Sequence, residues 1–506
     1  MQVRPKHIAR EAERHAMGDS QSTLFQPEFN QSIIVEARRQ RLSSDTGALV
    51  LRELMERMGW TELIREHLSD GRDSRRVTHP WVELLRTTVL LQAQGWSDQD
   101  DVTGLRDDPA LALAVSGRRG QRPVRPAQGR EPEGLCSQPT LSRVYATLST
   151  PANREALGKL LRAGAQRRAG PRGGRRFSEV TVDLDSLPLE VHGEQPGSAW
   201  NGHYDMRCYH PLVVSWDRGD YLGARLRPGN VHTAEGGQNF VLPILAWARA
   251  HAVRVCLRMD AGFPEATFLD RLEAEGFGYV ARLRGNAVLK RLAEPHLRRP
   301  PGRPPQEGRT WLHELEYRAR SWTRARRIVL VVLERPEEQG ELFLDHFFLL
   351  TNLPLQEESA LALLERYRQR GKAEKDFGEW QNALDLSLSS SPRPKSHYRE
   401  RPIGTPYDPA DSFGANEARL LVSLLAANLL HAGRVLLERA LRKGVSRQRF
   451  RQLVLKAAGR VLLSGRRVQV VIDAAHARLW SRFCKQLDAL YPARGSPRCR
   501  PLPASV

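Results

Sequence analysis

The stretch VTVDLD at residues 180–185 determines the fold class of this chain. Its apolar and polar residues alternate, which is the period of a strand with one apolar face and one polar face. Thr181, Asp183 and Asp185 share the polar face. Further short strands are predicted around Leu212–Trp216 and Tyr221–Arg225. These strands, and the helix and strand that follow them, predict an α/β fold with a mixed sheet.

The helix that continues this pattern is predicted at Asn239–His251, and the strand after it at Arg254–Met259. Asp260 comes directly after that strand, just as Asp185 lies near the end of its own. Parallel strands of an open α/β sheet place their carboxyl ends at one edge, where ligands bind. We therefore expect Asp185 and Asp260 to lie close together.

Each of these aspartates has an alternative interpretation. An Asp at a strand end is more often a cap or a turn residue than a ligand. Asp183 also lies on the same face as Asp185 and competes with it for the first position. We favour Asp185 because it is closer to the end of the strand.

A third carboxylate comes from the segment Leu361–Gln381, which is predicted to form one helix. Within it, Tyr367, Arg370 and Glu374 have the spacing i, i+3 and i+7, which places them on one face. A guanidinium binds phosphate through two parallel hydrogen bonds, and a carboxylate offers oxygens to a metal ion. The pattern is weak alone, since exposed helices often carry Arg and Glu.

Together, Asp185, Asp260 and Glu374 form a candidate metal centre. Hard oxygen ligands suit Mg²⁺ or Mn²⁺. Two such ions can activate a water or a 3′-hydroxyl and stabilise the leaving oxygen of a phosphodiester. The predicted chemistry is therefore phosphoryl transfer without a covalent protein nucleophile.

The composition indicates a nucleic-acid partner. The chain has 506 residues and a formal charge of +20, which attracts polyanions. Its length predicts about two to four domains. The five cysteines form no C-x-x-C pair, which argues against a zinc ribbon or a disulfide framework and predicts a reducing cytoplasm. We expect no stretch of membrane-spanning length and no membrane partner.

Changes of pattern along the chain predict its domains. Residues 1–28 form a loose basic extension, residues 29–150 a helical DNA-binding domain and residues 177–440 the catalytic domain. A separate β-rich insertion is expected at about 310–355, with Arg327–Glu334 and Glu341–Thr351 as an antiparallel pair. Residues 441–506 are predicted to be helical.

Two segments outside the carboxylates are candidate DNA contacts. In the insertion, Trp322 precedes a basic run and could stack on an unpaired base, although a half-buried structural tryptophan is the alternative. The arginines of that run are Arg324, Arg326 and Arg327. In the N-terminal region, Gln138 and Arg143 belong to a short helix whose first turn could enter a major groove. The alternative is a connector helix packed on the core.

These motifs resemble those of a known family. The chain is similar to bacterial insertion-sequence transposases of the DDE type with a Tyr-x2-Arg-x3-Glu signature, and most similar to the insertion sequence thirteen-eighty family. The resemblance runs from about Phe29 to the helix around Asn428. Its ordered blocks include Gly95–Ala110, Ser137–Arg143, Val180–Gly193, Leu226–Asn230, Arg258–Phe263, Tyr367–Glu374 and Asn416–Asn428.

The resemblance implies a ribonuclease-H-like mixed sheet, with a β-rich insertion between the second and third carboxylates. It implies that Asp185, Asp260 and Glu374 are the catalytic positions and that Tyr367 and Arg370 lie beside the DNA. The chain departs from the family in two places. Ser186-Leu187 follows Asp185 where the family has Ser/Thr-Thr, and Gln381 occupies the place of a signature lysine, with the nearby Lys375 as a candidate DNA contact.

The function that follows is that of a DNA transposase, which cleaves the ends of its element and joins the 3′-hydroxyl to target DNA. The expected partners are the terminal inverted repeats and target DNA, and we expect a homodimer in the DNA complex. The expected location is the cytoplasm, with the nucleoid as the site of DNA binding. Two alternatives stay open: a catalytically impaired DNA-binding descendant, and a ribonuclease-H-like nuclease without strand transfer.

Overall fold

A computed structural model describes most of the chain. The described residues are 22–30, 32–37, 40–72, 77–116, 134–171, 175–192, 195–299, 301, 308–335, 344–384, 388, 409–464 and 467–493. Most of the predicted N-terminal extension, residues 1–21, therefore lies outside the described residues.

The described strands and helices follow one another along the chain. The strands are β1 (Ser22–Phe25), β2 (Val35–Ala37), β3 (Leu42–Ser43), β4 (Phe177–Ser186), β5 (Leu189–Glu190), β6 (Ala199–Asn201), β7 (Met206–Tyr209), β8 (Leu212–Trp216), β9 (Tyr221–Arg225), β10 (Ala252–Met259), β11 (Gly278–Leu283), β12 (Arg309–Tyr317), β13 (Arg326–Glu334), β14 (Asp345–Thr351), β15 (Gly459–Ser464) and β16 (Arg467–Ile472). The helices are α1 (Ala48–Arg57), α2 (Trp60–His67), α3 (Trp81–Gln94), α4 (Asp101–Gly104), α5 (Pro109–Val115), α6 (Gln138–Leu148), α7 (Pro151–Ala169), α8 (Gly237–His251), α9 (Ala266–Ala274), α10 (Ala287–Ala293), α11 (Ala360–Arg368), α12 (Arg370–Leu384), α13 (Pro409–Leu441), α14 (Arg447–Phe450) and α15 (Ala474–Leu490).

The centre of the molecule is a mixed sheet of eight strands in the order β12-β13-β14-β11-β10-β4-β8-β9. The strand β10 is parallel to both β4 and β11, and all other pairs are antiparallel. The predictions of an α/β class with a mixed sheet are confirmed. The strands predicted at Leu212–Trp216 and Tyr221–Arg225 have those bounds.

Both faces of the central strand β4 are buried. On one face, Val180, Val182 and Leu184 pack in a core with α8 and α9. On the other face, Thr181, Asp183 and Asp185 are also buried. The sheet is therefore covered on both sides. The alternating pattern separates a buried apolar face from a buried polar face, instead of a buried face from an exposed one.

The β-rich insertion differs from its prediction in one respect. Its antiparallel pair is present as β13 and β14, but β14 also pairs with β11. The three strands β12 to β14 therefore extend the main sheet instead of forming a separate block. The apolar residues of β13, such as Ile328 and Leu330, continue the core beneath the sheet, which is the physical reason for this arrangement.

The N-terminal helices do not form a separate domain, contrary to the prediction for residues 29–150. They share one hydrophobic core with α13, which packs against α1, α3, α6 and α7. Leu51, Leu85 and Leu148 from the N-terminal helices are each fully buried in this core, together with Leu425 of α13. The region also contains the short strands β2 and β3.

The helix α13 corrects the expectation that no segment is long and apolar enough to cross a membrane. Phe413–Leu441 meets that test by length and composition, but 89% of its most apolar window is buried inside the protein. Its apolar character follows from its position, because other helices and β9 pack around it. It is the central helix of a core.

The C-terminal region also differs from its prediction, because residues 441–506 are not wholly helical. The strands β15 and β16 form an antiparallel hairpin, and β15 pairs on its other edge with β3. Val468, Val470 and Ile472 alternate with polar or solvent-side residues, a strand pattern that the helical prediction overlooked. A helix, α15, follows only after Asp473, whose side chain accepts a hydrogen bond from the Ala475 N–H.

Candidate active site

Two neighbouring parallel strands bring two aspartates to one edge of the sheet. The register of β10 against β4 pairs Met259 with Leu184. Asp185 and Asp260 follow these residues directly, so that they lie at the same level on adjacent strands. The Asp260 side chain also accepts a 2.7 Å hydrogen bond from the Gly262 N–H, in the turn that ends β10.

The signature segment forms two consecutive helices, not the single helix that was predicted. The first, α11, ends at Arg368, and α12 begins at Arg370 after one non-helical residue. At the break the Lys372 N–H donates to the Gln369 carbonyl at 3.0 Å, a tighter i+3 bond, and Gly371 lowers helical stability at this point. Tyr367 therefore lies on a different helix from Arg370 and Glu374.

One guanidinium connects the acidic residues of the sheet and of α12. Arg370 donates from Nη2 to Asp185 Oδ2 at 2.7 Å and from Nη1 to Glu374 Oε1. Arg370 and Asp185 are largely buried, whereas the Glu374 side chain is 53% exposed. The centre is thus closed on the sheet side and open to solvent on the helix side.

Burial is the largest influence on the pKa of Asp185, and the neighbouring charges modify it. Burial raises the pKa of Asp185 to about 7, the Arg370 guanidinium lowers it, and the negative charges of Asp260 and Glu374 raise it again. A raised pKa from burial and like charges is typical of functional carboxylates, though ion-pair networks produce it as well.

Asp183, the competing aspartate, has a different environment. It is 3% exposed and binds Arg258 through two hydrogen bonds, of 2.5 and 2.8 Å. Arg258 also donates to the Arg366 carbonyl on α11. The Arg366 side chain in turn pairs with Glu358 at 2.7 Å and with Glu179 at 2.8 Å. Asp183 therefore belongs to a closed network that fixes α11 against the sheet.

No ready-made metal site is present among the residues that the structure describes, since no group of three or more His, Cys, Asp or Glu side chains is arranged to hold an ion. The chemistry of the donors nevertheless suits a hard cation, because Asp185, Asp260 and Glu374 offer only carboxylate oxygens. In the structure, the Arg370 guanidinium contacts oxygens of two of these three carboxylates.

Two cavities adjoin the carboxylates. The larger, of about 430 Å³, is lined by Asp260 and Arg370 and by the cations Arg282, Arg284 and Lys290. The smaller, of about 340 Å³, reaches Glu374. Both are lined by Arg282, Phe347, Tyr367 and Arg370. They therefore form one groove that passes Tyr367.

The four residues predicted to contact DNA in the insertion are engaged within the protein. Trp322 is 5% exposed, and its ring lies 4.9 Å from the Arg326 guanidinium carbon. Arg326 is itself buried and pairs with Glu273 and Asp270. These placements do not support a DNA contact for Trp322 and Arg326, and they agree with the alternative of a structural tryptophan.

The two other arginines of the basic run are paired as well. Arg324 donates to Glu273 from Nε at 3.0 Å, although its side chain is 62% exposed. Arg327 donates to both oxygens of Glu314, at 2.6 and 2.9 Å, and to the Leu353 carbonyl. The arginines of the basic run therefore form ion pairs within the protein.

The remaining predicted DNA contacts lie on α6 and, beside Glu374, on α12. Arg143 is exposed on α6, and the Gln138 amide nitrogen donates to the Ser142 hydroxyl at 3.1 Å. Lys375 is exposed on α12, next to Glu374. The Gln381 amide contacts the Pro188 carbonyl at 3.4 Å. A DNA-binding role for Gln138, Arg143 and Lys375 stays a prediction.

Sequence reasoning missed the cations of the groove. Arg282, Arg284 and Lys290 lie at the end of β11 and on α10. The stretch ARLRGN at residues 281–286 carried a signal, because a basic segment follows a strand that is parallel to β10. Its end therefore meets the same sheet edge as Asp260.

Comparisons with known proteins give one family match and one similar solved structure. The model of the family described as transposase DDE domain group 1 matches residues 25–397, which is well over half of the chain and includes all three carboxylates. Among solved structures, the chain is similar to the piggyBac transposase synaptic complex with hairpin DNA, with 11% identity over 90% of this chain and 83% of that chain. The TM-score of 0.36 is too low to establish a common fold. No curated protein matches the chain.

Proposed function

The chain belongs to the transposase DDE domain group 1 family, and from this premise we propose that it is the DNA transposase of an insertion sequence. It cleaves the ends of its element and joins the 3′-hydroxyl ends to target DNA by metal-dependent phosphoryl transfer. The resemblance to the insertion sequence thirteen-eighty family, with the Tyr367, Arg370 and Glu374 signature, supports this finer assignment.

A single observation carries the proposal: Asp185 of β4 and Glu374 of α12 meet at the Arg370 guanidinium, and Asp260 follows the adjacent parallel strand at the level of Asp185. Asp185 and Asp260 are 75 positions apart in the sequence, and Asp260 and Glu374 are 114 positions apart. The three residues thus converge on one open edge of the sheet. Burial and the neighbouring carboxylates raise the pKa of Asp185 at the mouth of the groove, and such a shift is typical of functional sites.

The topology supports a ribonuclease-H-like core. The strands β4, β8 and β9 form an antiparallel meander, and β10 and β11 lie parallel to β4 on its other side. These strands form a mixed sheet, as the resemblance implies for such a core. The strands β12 to β14 then correspond to the insertion between the second and third carboxylates.

The acidic residues would hold the metal ions. Asp185, Asp260 and Glu374 supply hard oxygens. Burial, together with the charges of Asp260 and Glu374, raises the pKa of Asp185, and a bound divalent cation would favour its ionised form. When bound, Mg²⁺ or Mn²⁺, which we expect as two ions, would activate a water or a 3′-hydroxyl and stabilise the leaving oxygen. The role of Arg370 is to orient a phosphate of the scissile strand, and doing so requires it to release at least one carboxylate.

The partners follow from the same chemistry. The charge of +20 supports binding to double-stranded DNA, both the terminal inverted repeats and the target. We propose a homodimer in the DNA complex, since an element has two ends to join, and a cytoplasmic protein that is associated with the nucleoid when it is bound to DNA.

Removal of each carboxylate tests the assignment. Asp185→Asn, Asp260→Asn and Glu374→Gln are each expected to lower strand cleavage by about 10⁴-fold and to leave DNA binding, measured by gel shift in EDTA, within a factor of about two. Glu365→Gln is the matched control, because Glu365 on α11 is exposed and pairs with the exposed Arg368. Full cleavage by all three variants would contradict the proposal.

One observation favours a second candidate, a DNA-binding protein that does not cleave. Gln381 stands where the family has a lysine, and its amide contacts the Pro188 carbonyl instead of offering a cation to a phosphate. Cleavage of element ends by the wild-type chain, and its rise in Gln381→Lys, would rule this candidate out.

A further inference from the structure

A buried arginine lies at the same edge of the sheet as the two aspartates. Arg227 follows the end of β9 by two residues and is 5% exposed. The sheet register places the end of β9 level with the end of β4, because Leu212 of β8 pairs with Arg225 on one side and with Ser186 on the other. Ser186 directly follows Asp185, so Arg227 lies just beyond the same sheet edge.

The Arg227 side chain binds four backbone carbonyls. Its Nε donates to the His210 carbonyl, before β8, at 2.8 Å. Its Nη1 donates to three carbonyls before α8, those of His232, Thr233 and Glu235, at 3.2, 2.9 and 2.7 Å. Burial lowers the pKa of Arg227 to about 10, so the guanidinium stays charged at neutral pH. Hydrogen bonds from a charged donor are strong, and Arg227 therefore ties the start of β8 to the segment that leads into α8.

The segment that Arg227 holds packs against the turn of Asp260. The Thr233 side chain lies so close to Gly262 that a β-carbon at position 262 would come within 2.6 Å of Thr233 Cγ2. A side chain at this position would therefore collide with Thr233. The Gly262 N–H is the donor that binds the Asp260 carboxylate at 2.7 Å. Thr233 thus packs on the peptide group that orients Asp260.

The next residue of the turn contacts the same segment. Phe263 is 1% exposed, and a β-carbon at Gly237, the first residue of α8, would lie 3.5 Å from its ring. The Gly237 N–H donates to the Ala234 carbonyl at 2.9 Å, within the stretch that the guanidinium holds. Two consecutive residues of the Asp260 turn are therefore packed against this stretch.

We propose that Arg227 is a positioning residue for the carboxylate centre, which holds residues 232–237 against the Gly262 turn and so fixes the direction of the Asp260 side chain. It acts through Thr233 and Gly262 rather than on the substrate. The importance of Asp260 rests on the proposed function, whereas the effect of Arg227 on the turn does not. An arginine that only stabilised the fold would have no selective effect on this turn.

The first test is amide hydrogen exchange of the metal-free full chain, measured by mass spectrometry on peptides that contain residues 259–265. Arg227→Gln removes the charge and the fork, and Arg227→Lys keeps the charge and loses the planar geometry. Thr233→Ser is a milder variant, because it keeps the carbonyl that Arg227 binds and removes the methyl group beside Gly262. It tests the same contact if Arg227→Gln does not fold.

The matched control is Arg168→Gln. Arg168 is also a buried arginine, and it pairs with Asp220, which directly precedes β9 at the end of that strand away from Arg227. Its replacement leaves a buried carboxylate without its partner and lowers the stability of the whole protein. It should not act selectively on the Asp260 turn.

We expect Arg227→Gln to speed exchange at the Asp260 turn by about tenfold relative to peptides of β13. Arg227→Lys and Thr233→Ser should have smaller effects of the same kind, and Arg168→Gln should change both regions alike. The second test is DNA cleavage by the same proteins over a series of Mn²⁺ concentrations. Arg227→Gln should raise the Mn²⁺ concentration at half-maximal rate by about tenfold, since partners that orient a metal ligand typically change metal affinity by about 10–100-fold.

Wild-type exchange at the Asp260 turn in both Arg227→Gln and Thr233→Ser would overturn the proposal, as would an equal selective increase in Arg168→Gln. Faster exchange with an unchanged Mn²⁺ requirement would overturn it too, because the turn would then not matter to the carboxylate centre. A wild-type chain that does not cleave DNA contradicts the proposed function alone. In that case the exchange rates, which need neither metal nor DNA, decide whether Arg227 fixes the turn.

Discussion

Two Asp–Arg pairs lie two residues apart on one face of β4, and they have opposite characters. Asp183 and Arg258 are both buried, and the Arg366 network completes their surroundings. Asp185 and Arg370 meet the exposed Glu374 and the groove. The same residue types are therefore structural where every partner lies inside the protein, and available for chemistry where one side faces solvent.

The largest expected effect on folding comes from opening the closed pair. Asp183→Asn leaves the Arg258 guanidinium buried without its counter-charge, and breaking a buried pair costs about 3–5 kcal/mol. We expect this loss in the free energy of unfolding, measured by urea denaturation. The double variant Asp183→Leu with Arg258→Met should recover most of it, because no buried charge is left unpaired.

A different result would erase the distinction between the two pairs. If Asp183→Asn keeps wild-type stability and abolishes cleavage, Asp183 is the catalytic aspartate and Asp185 is not.

The second prediction concerns the open pair. Arg370→Ala should lower cleavage by about 10²-fold, and Arg370→Lys by less, since lysine keeps the charge and loses the planar fork. The melting temperature should change little, because Glu374 is exposed and Asp185 can take up a proton. Unfolding of Arg370→Ala, or unchanged cleavage, would show that this pair is structural as well.

The fold was predictable from the sequence where a local pattern carries it. The alternation in VTVDLD and the strand ends at Asp185 and Asp260 followed from side-chain period alone. The extension of the sheet by β14 could not be predicted this way, because strand partners depend on contacts across the fold that a local pattern does not encode. The shared core of α13 with the N-terminal helices was missed for the same reason.

The candidate site shows the same limit. Spacing placed Arg370 and Glu374 on one face, but it did not reveal the break at Gln369 or the contact of Arg370 with Asp185. For the basic run at Arg324–Arg327, the sequence shows the cations but not their partners, because Glu273 and Glu314 come from other elements. Whether an arginine is available to DNA depends on its ion pairs. These pairs form through tertiary contacts, which the sequence does not show.

The third prediction uses the pH dependence of the open pair in metal-free protein. Burial raises the pKa of Asp185 to about 7, above the value of about 3.9 in an unfolded chain. Between these values the folded state holds a proton that the unfolded state lacks, so stability falls as the pH rises through this window. Asp185→Asn should remove a fall on the order of 2 kcal/mol between about pH 5 and pH 8 in EDTA. An identical pH profile in both proteins would contradict the raised pKa.

The smallest expected effect is at the paired arginines of the insertion. Arg324→Ala removes an exposed partner of Glu273, which keeps its bonds from Arg326 and Tyr279, so the free energy of unfolding should change by less than about 1 kcal/mol. The salt dependence of duplex binding by the full chain should be steep, as its net charge requires, and should be the same in Arg324→Ala and the wild type. Fluorescence anisotropy with one labelled duplex measures both slopes. A slope that becomes shallower by about 0.9 would reveal one phosphate contact at Arg324. Ion pairing within the protein would then no longer predict which arginines contact DNA.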